Sequence, residues 1–286
     1  MAEGMEPDSP VPIAIGAVGG SGTRVIAQLL IDAGIYLGSD LNDPNDNLWF
    51  TLLFKRLSVL DEPQEDLEHL FDLFSRRMTG EVPSDEADIR RIKELASIGR
   101  SQHPAEWLLK RADRFLSGTA GTDGPVGAHQ WGWKEPNTHV IIDKLLTFNS
   151  SLRYIHIMRN GLDMAFNRNQ NQPALWGSVF LGSDGEVTPR RSLQYWCVVH
   201  RRIQGIADAH PGRVLLVSFD ALCRDPQFEC RRLLDFCDIS MPDTRLEAFA
   251  NGISTPRSTG VFRQKDTSQL AREDIAYVES LGFETR

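Results

Sequence analysis

Ile13-Ala-Ile-Gly-Ala-Val-Gly-Gly-Ser-Gly-Thr-Arg24 is the stretch that decides the fold. An apolar run enters a turn containing Gly16, Gly19, Gly20 and Gly22, and an amphipathic segment with Val25, Ile26, Leu29, Leu30 and Ala33 follows. The pattern reads as strand, glycine-rich turn, helix. Such a turn aims backbone N–H groups and a helix N-terminus at an anion, most often a phosphate or sulfate ester. Ser21 and Thr23 add hydroxyl donors, and Arg24 adds a fixed positive charge. The turn lacks the Lys of a nucleoside triphosphate loop, because no Lys precedes Lys55. Taken alone, it is also compatible with a merely tight strand-to-helix connection.

Three more segments read as buried strands: Gln130 to Lys134, Leu152 to Met158, and Arg213 to Phe219. The first strand covers Pro12 to Ala17. Helices are expected over Thr23 to Ala33, Thr138 to Thr147, Asp163 to Asn169, Arg190 to Ala209 and Pro226 to Cys237. The alternation predicts an α/β fold in three layers, with a central parallel sheet and helices on both faces. Residues 48 to 118 are mostly helical and read as an insertion between the first and second strands, there for packing or to cover a substrate pocket. Residues 1 to 10 read as a loose acidic tail ahead of a single domain over 11 to 286, and Gly118 to Gly127 as a Gly/Thr/Asp-rich loop. In open parallel sheets a ligand lies beyond the carboxyl ends of the strands. The glycine turn, Lys134 and Arg159 each follow such an end.

With 286 residues the chain can bury a sizeable core. Its net charge of -8 argues against general affinity for nucleic acid or membrane surfaces, while leaving room for an anion in a local basic pocket. No apolar run approaches the roughly 20 residues that span a bilayer. Cys197, Cys223, Cys230 and Cys237 form no C-x-x-C pair, so no zinc or other metal site is expected, and a reducing, cytoplasmic setting fits.

Tyr154-Ile-His-Ile-Met-Arg-Asn-Gly-Leu-Asp-Met-Ala-Phe-Asn167 is the second informative segment. Arg159 stands at a strand-to-helix turn, and its planar fork suits bidentate phosphate contact. Asp163 and Asn167, at i+4 and i+8, would share a helix face with it. Asp163 is then placed to orient Arg159, or simply to pair with it as a structural cap. Asn167 is placed to donate to a phosphate oxygen.

Together the two segments resemble the PAPS-dependent sulfotransferases, PAPS being 3′-phosphoadenosine 5′-phosphosulfate, and the style is that of bacterial and carbohydrate-type members. The resemblance implies a P-loop-like sulfotransferase domain. Gly19, Gly20, Ser21, Gly22, Thr23 and Arg24 would hold the 5′-phosphosulfate. Arg159, Asn160, Asp163 and Asn167 fall on the family's R-[ND]-x-x-D-x-x-x-S pattern for the 3′-phosphate, with Asn in place of the final Ser. Gly132-Trp-Lys-Glu-Pro136 is similar to the family's K-x-P segment. Ser218-Phe-Asp-Ala-Leu-Cys-Arg-Asp-Pro226, with Leu233-Leu-Asp-Phe-Cys237, resembles its later D-P and L-L-x-F-L segment. Pro256-Arg-Ser-Thr-Gly-Val-Phe-Arg263 resembles its C-terminal cofactor-closing loop, which implicates Arg257, Gly260 and Arg263.

The implied reaction moves a sulfuryl group from PAPS to a small-molecule or glycan acceptor, leaving PAP, with no metal. It needs donors at the leaving oxygen and a base for the acceptor hydroxyl. Gly20 stands where the family often carries a cation, so Lys134, or failing that Arg24, would supply the charge. Asp46-Asn-Leu-Trp-Phe50 resembles the carbohydrate-type segment whose acidic base precedes two aromatics. Asp46 is thus the candidate base, or else an N-cap for a helix starting near Leu48. Glu135 is the next candidate, and Asp43, Asp40 and His139 are further ones. The Asn169 to Gln172 run would end the 3′-phosphate helix and bond acceptor hydroxyls. The alternatives are an atypical nucleotide-dependent kinase and a non-catalytic PAP-binding protein.

Overall fold

A computed structural model describes residues 11–118 and 130–286; the expected tail over 1 to 10 and most of the Gly/Thr/Asp-rich loop lie outside them. Four strands form one sheet: β1 (Ile13–Ala17), β2 (Gly132–Lys134), β3 (Arg153–Met158) and β4 (Val214–Ser218). Their order is β2-β1-β3-β4, and every pairing is parallel. Ile13 sits opposite both Gly132 and Arg153, so β1 is the central strand about which the chain order reverses. All four expected strands are present, each slightly shorter than expected.

Alternation along the strands divides the interior into two cores. Ile13, Ile15, Ala17, Ile155, Ile157 and Val217 face one side. They pack against α1 (Thr23–Asp32), the short α10 (Phe219–Arg224), α11 (Pro226–Phe236) and α12 (Asp243–Asn251). Ala14, Tyr154 and Met158 face the other side. That core holds α6 (Ile142–Phe148), α7 (Gly161–Ala165), α8 (Asn171–Leu181), α9 (Pro189–Ala209), α13 (Arg272–Ser280) and the insertion.

The insertion consists of α2 (Leu48–Phe54), α3 (Gln64–Met78), α4 (Glu86–Ser97) and α5 (Ala105–Leu116). Its buried residues in α3 are spaced helically, with Leu67, Leu70, Phe71, Phe74 and Met78 on one stripe. These meet the tryptophans of the second strand segment. Phe50 stacks on Trp133 with centroids 5.5 Å apart, and Phe74 meets Trp133 edge-on at the same distance. Offset and edge contacts of this kind add about 0.5–1.5 kcal/mol each beyond area burial. The insertion is therefore packed onto the end of β2 that carries Lys134.

Two expected helices differ. Pro136–Val140 is a 3-10 turn, and α6 begins only at Ile142. The helix expected over Asp163 to Asn169 is α7, a single turn that ends at Ala165. Asn169 to Gln172 does not close that helix: Gln170 is the residue from which α8 starts. Among the described residues no helix is long and apolar enough to cross a membrane.

His139, His156 and His200 are fully buried beside one another, with ring centroids 6.2 and 5.1 Å apart along the row. Burial disfavours the imidazolium, so His139 is pushed down to about 3 and His200 to about 4, and His156 is held well below its ordinary value. Below pH 6.5 the unfolded chain takes up protons that these folded rings refuse. Stability present above that pH is lost as pH falls toward the folded values, by about 1.4 kcal/mol per pH unit per histidine. Urea midpoints should fall steadily from pH 7 to pH 4.5, and His139→Gln should make the slope shallower. An unchanged slope in that variant would show that His139 does not contribute.

Candidate active site

The first wall of the site is the turn between β1 and α1. Gly22 caps α1 with φ 92°, and a Cβ there would stand 2.3 Å from the Phe219 ring. Gly20 has φ 94°, and a Cβ there would stand 2.9 Å from Asn167 Nδ2. No side chain caps α1, so the N–H groups of Thr23 and Arg24 have no capping side chain, while Val25 N–H donates to Gly22 O. The Ser21 hydroxyl is not one of the free donors that were expected, because it donates to Val18 O at 2.5 Å inside the turn. Thr23 is the buried first residue of α1. Arg24 is exposed and lines a separate open cavity with Phe219, Phe249 and Pro256.

Arg159 lies just beyond β3 and is 5% exposed. Its Nη1 donates to Gly20 O at 3.4 Å and its Nη2 to Ser258 Oγ at 2.8 Å, while its Nε is buried without a partner. One cation thus joins the first turn to the C-terminal loop with a donor left over. Asp163 does not orient it. The Asp163 carboxylate accepts N–H bonds from Gly260 at 2.7 Å and Phe262 at 3.1 Å, tying the C-terminal loop to α7. Nor do Arg159, Asp163 and Asn167 share a helix face: α7 is only one turn long, and Asn167 follows it, beside Gly20. Asn160 caps α7 through Leu162 N. Arg257 is exposed next to Ser258, with no partner among the described residues. Arg263 turns away, pairing with Glu284 and donating to Arg286 O.

The catalytic candidates gather at the end of β2. Lys134 is 2% exposed. Its ammonium contacts the Asp46 carboxylate and donates to Pro44 O at 2.9 Å. An ammonium has three N–H donors, so one remains for a ligand. Asp46 is held from behind: its N–H donates to Asn42 Oδ1 at 2.7 Å, and Asn42 Nδ2 donates to its Oδ2 at 2.9 Å. The cap of α2 is Asn47, whose side chain accepts from Phe50 N, so Asp46 is not the cap. Asn47 N also donates to Lys134 O at 2.7 Å.

Glu135 caps the 3-10 turn and accepts from Asn137 N at 2.5 Å and Asn137 Nδ2 at 2.8 Å. Burial raises its proton affinity, opposed by Lys55, whose ammonium lies 3.6 Å away. Lys55 has no place in the sequence reading; only its position at the end of α2, as the chain's first lysine, marks it. The remaining base candidates fall away. Asp40 is buried and bound by Arg111 and Arg114, each at 2.7 Å. His139 lies in the core, bonded to Gln172 and Tyr195. Asp43 is exposed and does not line the cavity. Gly19, Asp46, Lys55, Glu135, Asn169 and Asn171 line one polar cavity of 110 Å³.

Parallel strands thus bring a glycine-rich turn, an ammonium–carboxylate contact and a buried arginine to their carboxyl ends in an α/β protein. The sequence profile of the sulfotransferase family matches residues 12–243, and the chain belongs to that family. The assignment displaces the kinase alternative. Carbohydrate sulfotransferase 6 of Homo sapiens is 29% identical over 150 residues, which span 44% of this chain and 38% of that protein. Two solved structures align along almost the whole chain. The sulfotransferase domain from the curacin biosynthetic pathway is 13% identical with a TM-score of 0.49, over 97% of this chain and 99% of that one. The sulfotransferase domain from the Synechococcus PCC 7002 olefin synthase is 17% identical with a TM-score of 0.47, over the full length of both.

The geometry of the first turn is testable without a ligand. Gly22→Ala should cost about 2 to 5 kcal/mol, combining left-handed strain with the Phe219 clash. Gly34 has φ 93° with nothing within 4 Å of its Cβ position. Gly34→Ala should therefore cost only the strain, about 1–2 kcal/mol. Equal losses in urea unfolding would remove Phe219 from the account.

Proposed function

We propose that the chain transfers a sulfuryl group from PAPS to an acceptor hydroxyl, with Asp46 as general base. The observation that carries the reading is Asp46, which shares the wall of one polar cavity with Gly19 and is contacted by the buried Lys134 ammonium. The residues present also suit the donor. Arg159 has a buried Nε without a partner, α1 has no side-chain cap, and Lys134 has one N–H to spare. The apolar and aromatic surface of Phe219 and Phe249 beside Arg24 suits a purine ring.

PAPS supplies an activated sulfur whose bond to the 5′-phosphate oxygen breaks as the acceptor oxygen bonds to it in line. Asp46 takes the acceptor's proton, which sharpens the oxygen as a nucleophile. Lys134 and the N–H groups of the first turn carry the negative charge that builds on the leaving oxygen. Gly20 cannot supply a cation there, since a side chain would displace Asn167. The contact positions both groups before reaction, and once Asp46 has taken the acceptor's proton the ammonium is released toward the developing charge. Glu135 is spent on the 3-10 turn and serves as scaffold. Arg159 and Ser258, with Arg257 at the surface, are assigned to the 3′-phosphate.

Calorimetric titration with PAP, and with ADP and ATP with and without magnesium, tests the donor. Magnesium-independent PAP binding with little response to ADP or ATP is expected; magnesium-dependent ATP binding without PAP preference would overturn the reading. Arg159→Ala should weaken PAP by about 10- to 100-fold, the range of a charge-assisted bond, and adenosine 5′-phosphosulfate far less. Equal losses would remove Arg159 from the 3′-phosphate. Asp46→Asn should lower turnover by about 10²- to 10⁴-fold with PAP affinity nearly intact. Parallel loss of both would make Asp46 structural.

A further inference from the structure

A second cavity, of 370 Å³, is walled by the insertion and by Leu175 of α8, and shares Lys55 and Gln102 with the polar cavity that holds Asp46. Its remaining wall includes Leu57, Leu95, Ile98 and Leu175. Single exposed apolar side chains are ordinary, whereas several gathered on one concave wall mark a ligand groove or contact surface. Of the five most exposed ones among the described residues, Leu57 at 49% and Ile98 at 67% both line this cavity.

The cations along the wall are already committed. Arg100 donates to the carbonyls of Thr51, Leu52 and Lys55, closing the C-terminus of α2. Arg56 donates to Leu53 O and Ser58 Oγ and pairs with Glu62. His103 stacks on Trp107 with centroids 4.7 Å apart, and burial keeps it neutral. Lys55 turns its ammonium to Glu135 in the polar cavity, leaving its hydrocarbon stem to the apolar one. The wall therefore offers hydrocarbon and few free donors. A sugar chain with a hydroxyl on nearly every carbon would lose its water there without replacement.

We infer that the acceptor is an amphiphilic alcohol: its hydroxyl enters the polar cavity at Asp46, and its hydrocarbon body fills the cavity between Leu57, Leu95, Ile98 and Leu175. The inference rests on the sulfotransferase reading of the Asp46 site and names the substrate class for it.

The test uses the full chain saturated with PAP, so that failure to bind PAP reports on the proposed function and not on this inference. Thermal shifts are measured with primary alcohols from butanol to decanol, and with N-acetylglucosamine and galactose. Apparent affinity should rise with chain length, by up to about fourfold per methylene buried. The sugars should leave the midpoint unmoved. With PAPS in place of PAP, KM should fall along the same series. Ile98→Asp and Leu57→Asn sit at the exposed rim and should fold normally. Either should weaken decanol by about tenfold, with PAP affinity unchanged. A flat alcohol series in PAP-loaded protein, sugars that bind more tightly than decanol, or rim variants without effect on decanol would each overturn the inference.

Discussion

The contact between the Lys134 ammonium and the Asp46 carboxylate governs the rest of the site. The Lys134 side chain is 2% exposed and that of Asp46 21%, and removing one partner of such a pair is far costlier than removing both. The pair therefore fixes the segment before α2 against the end of β2, with the Asn47 N–H bond to Lys134 O as a second fastening. Phe50, three residues after Asn47, stacks on Trp133, one residue before Lys134. Charge, backbone and aromatic packing thus agree on one register between insertion and sheet. That register places Asp46 beside Gly19 and Glu135.

The glycine turn, the parallel alternation and the position of the insertion were legible because each rests on local pattern. The strands are short apolar runs, and α3 carries a plain helical stripe. The site was legible as far as strand ends reach: Gly19, Lys134 and Arg159 follow from the rule that ligands sit beyond the carboxyl ends. Partners across the fold were not. Asp163 looks like an i+4 mate of Arg159, yet it serves two N–H groups almost a hundred residues later in the chain. Arg263 looks like a ligand residue, and it is bound to Glu284. Ser258 lies in a segment singled out for Arg257, Gly260 and Arg263, and Lys55 stands out only as the first lysine, because the contacts of both come from what folds against them.

His139 shows a different limit. Its place after Lys134-Glu-Pro suggested reach into the site. The chain instead makes a 3-10 turn there and carries the imidazole inward to Gln172 and Tyr195. Sequence distance from a strand end says that a residue is near the site, and the local backbone decides to which side it points.

The pairing of Ile13 with Gly132 encloses the entire insertion between neighbouring strands. A parallel contact of such long range can form only after an extended stretch of chain has been drawn together, and the entropy lost in doing so rises with the length of chain that remains loose. Local helical order in α3, α4 and α5 shortens that loose length. The insertion is then a folding aid as well as a wall of the site, because its helices lower the entropy lost in bringing β1 against β2.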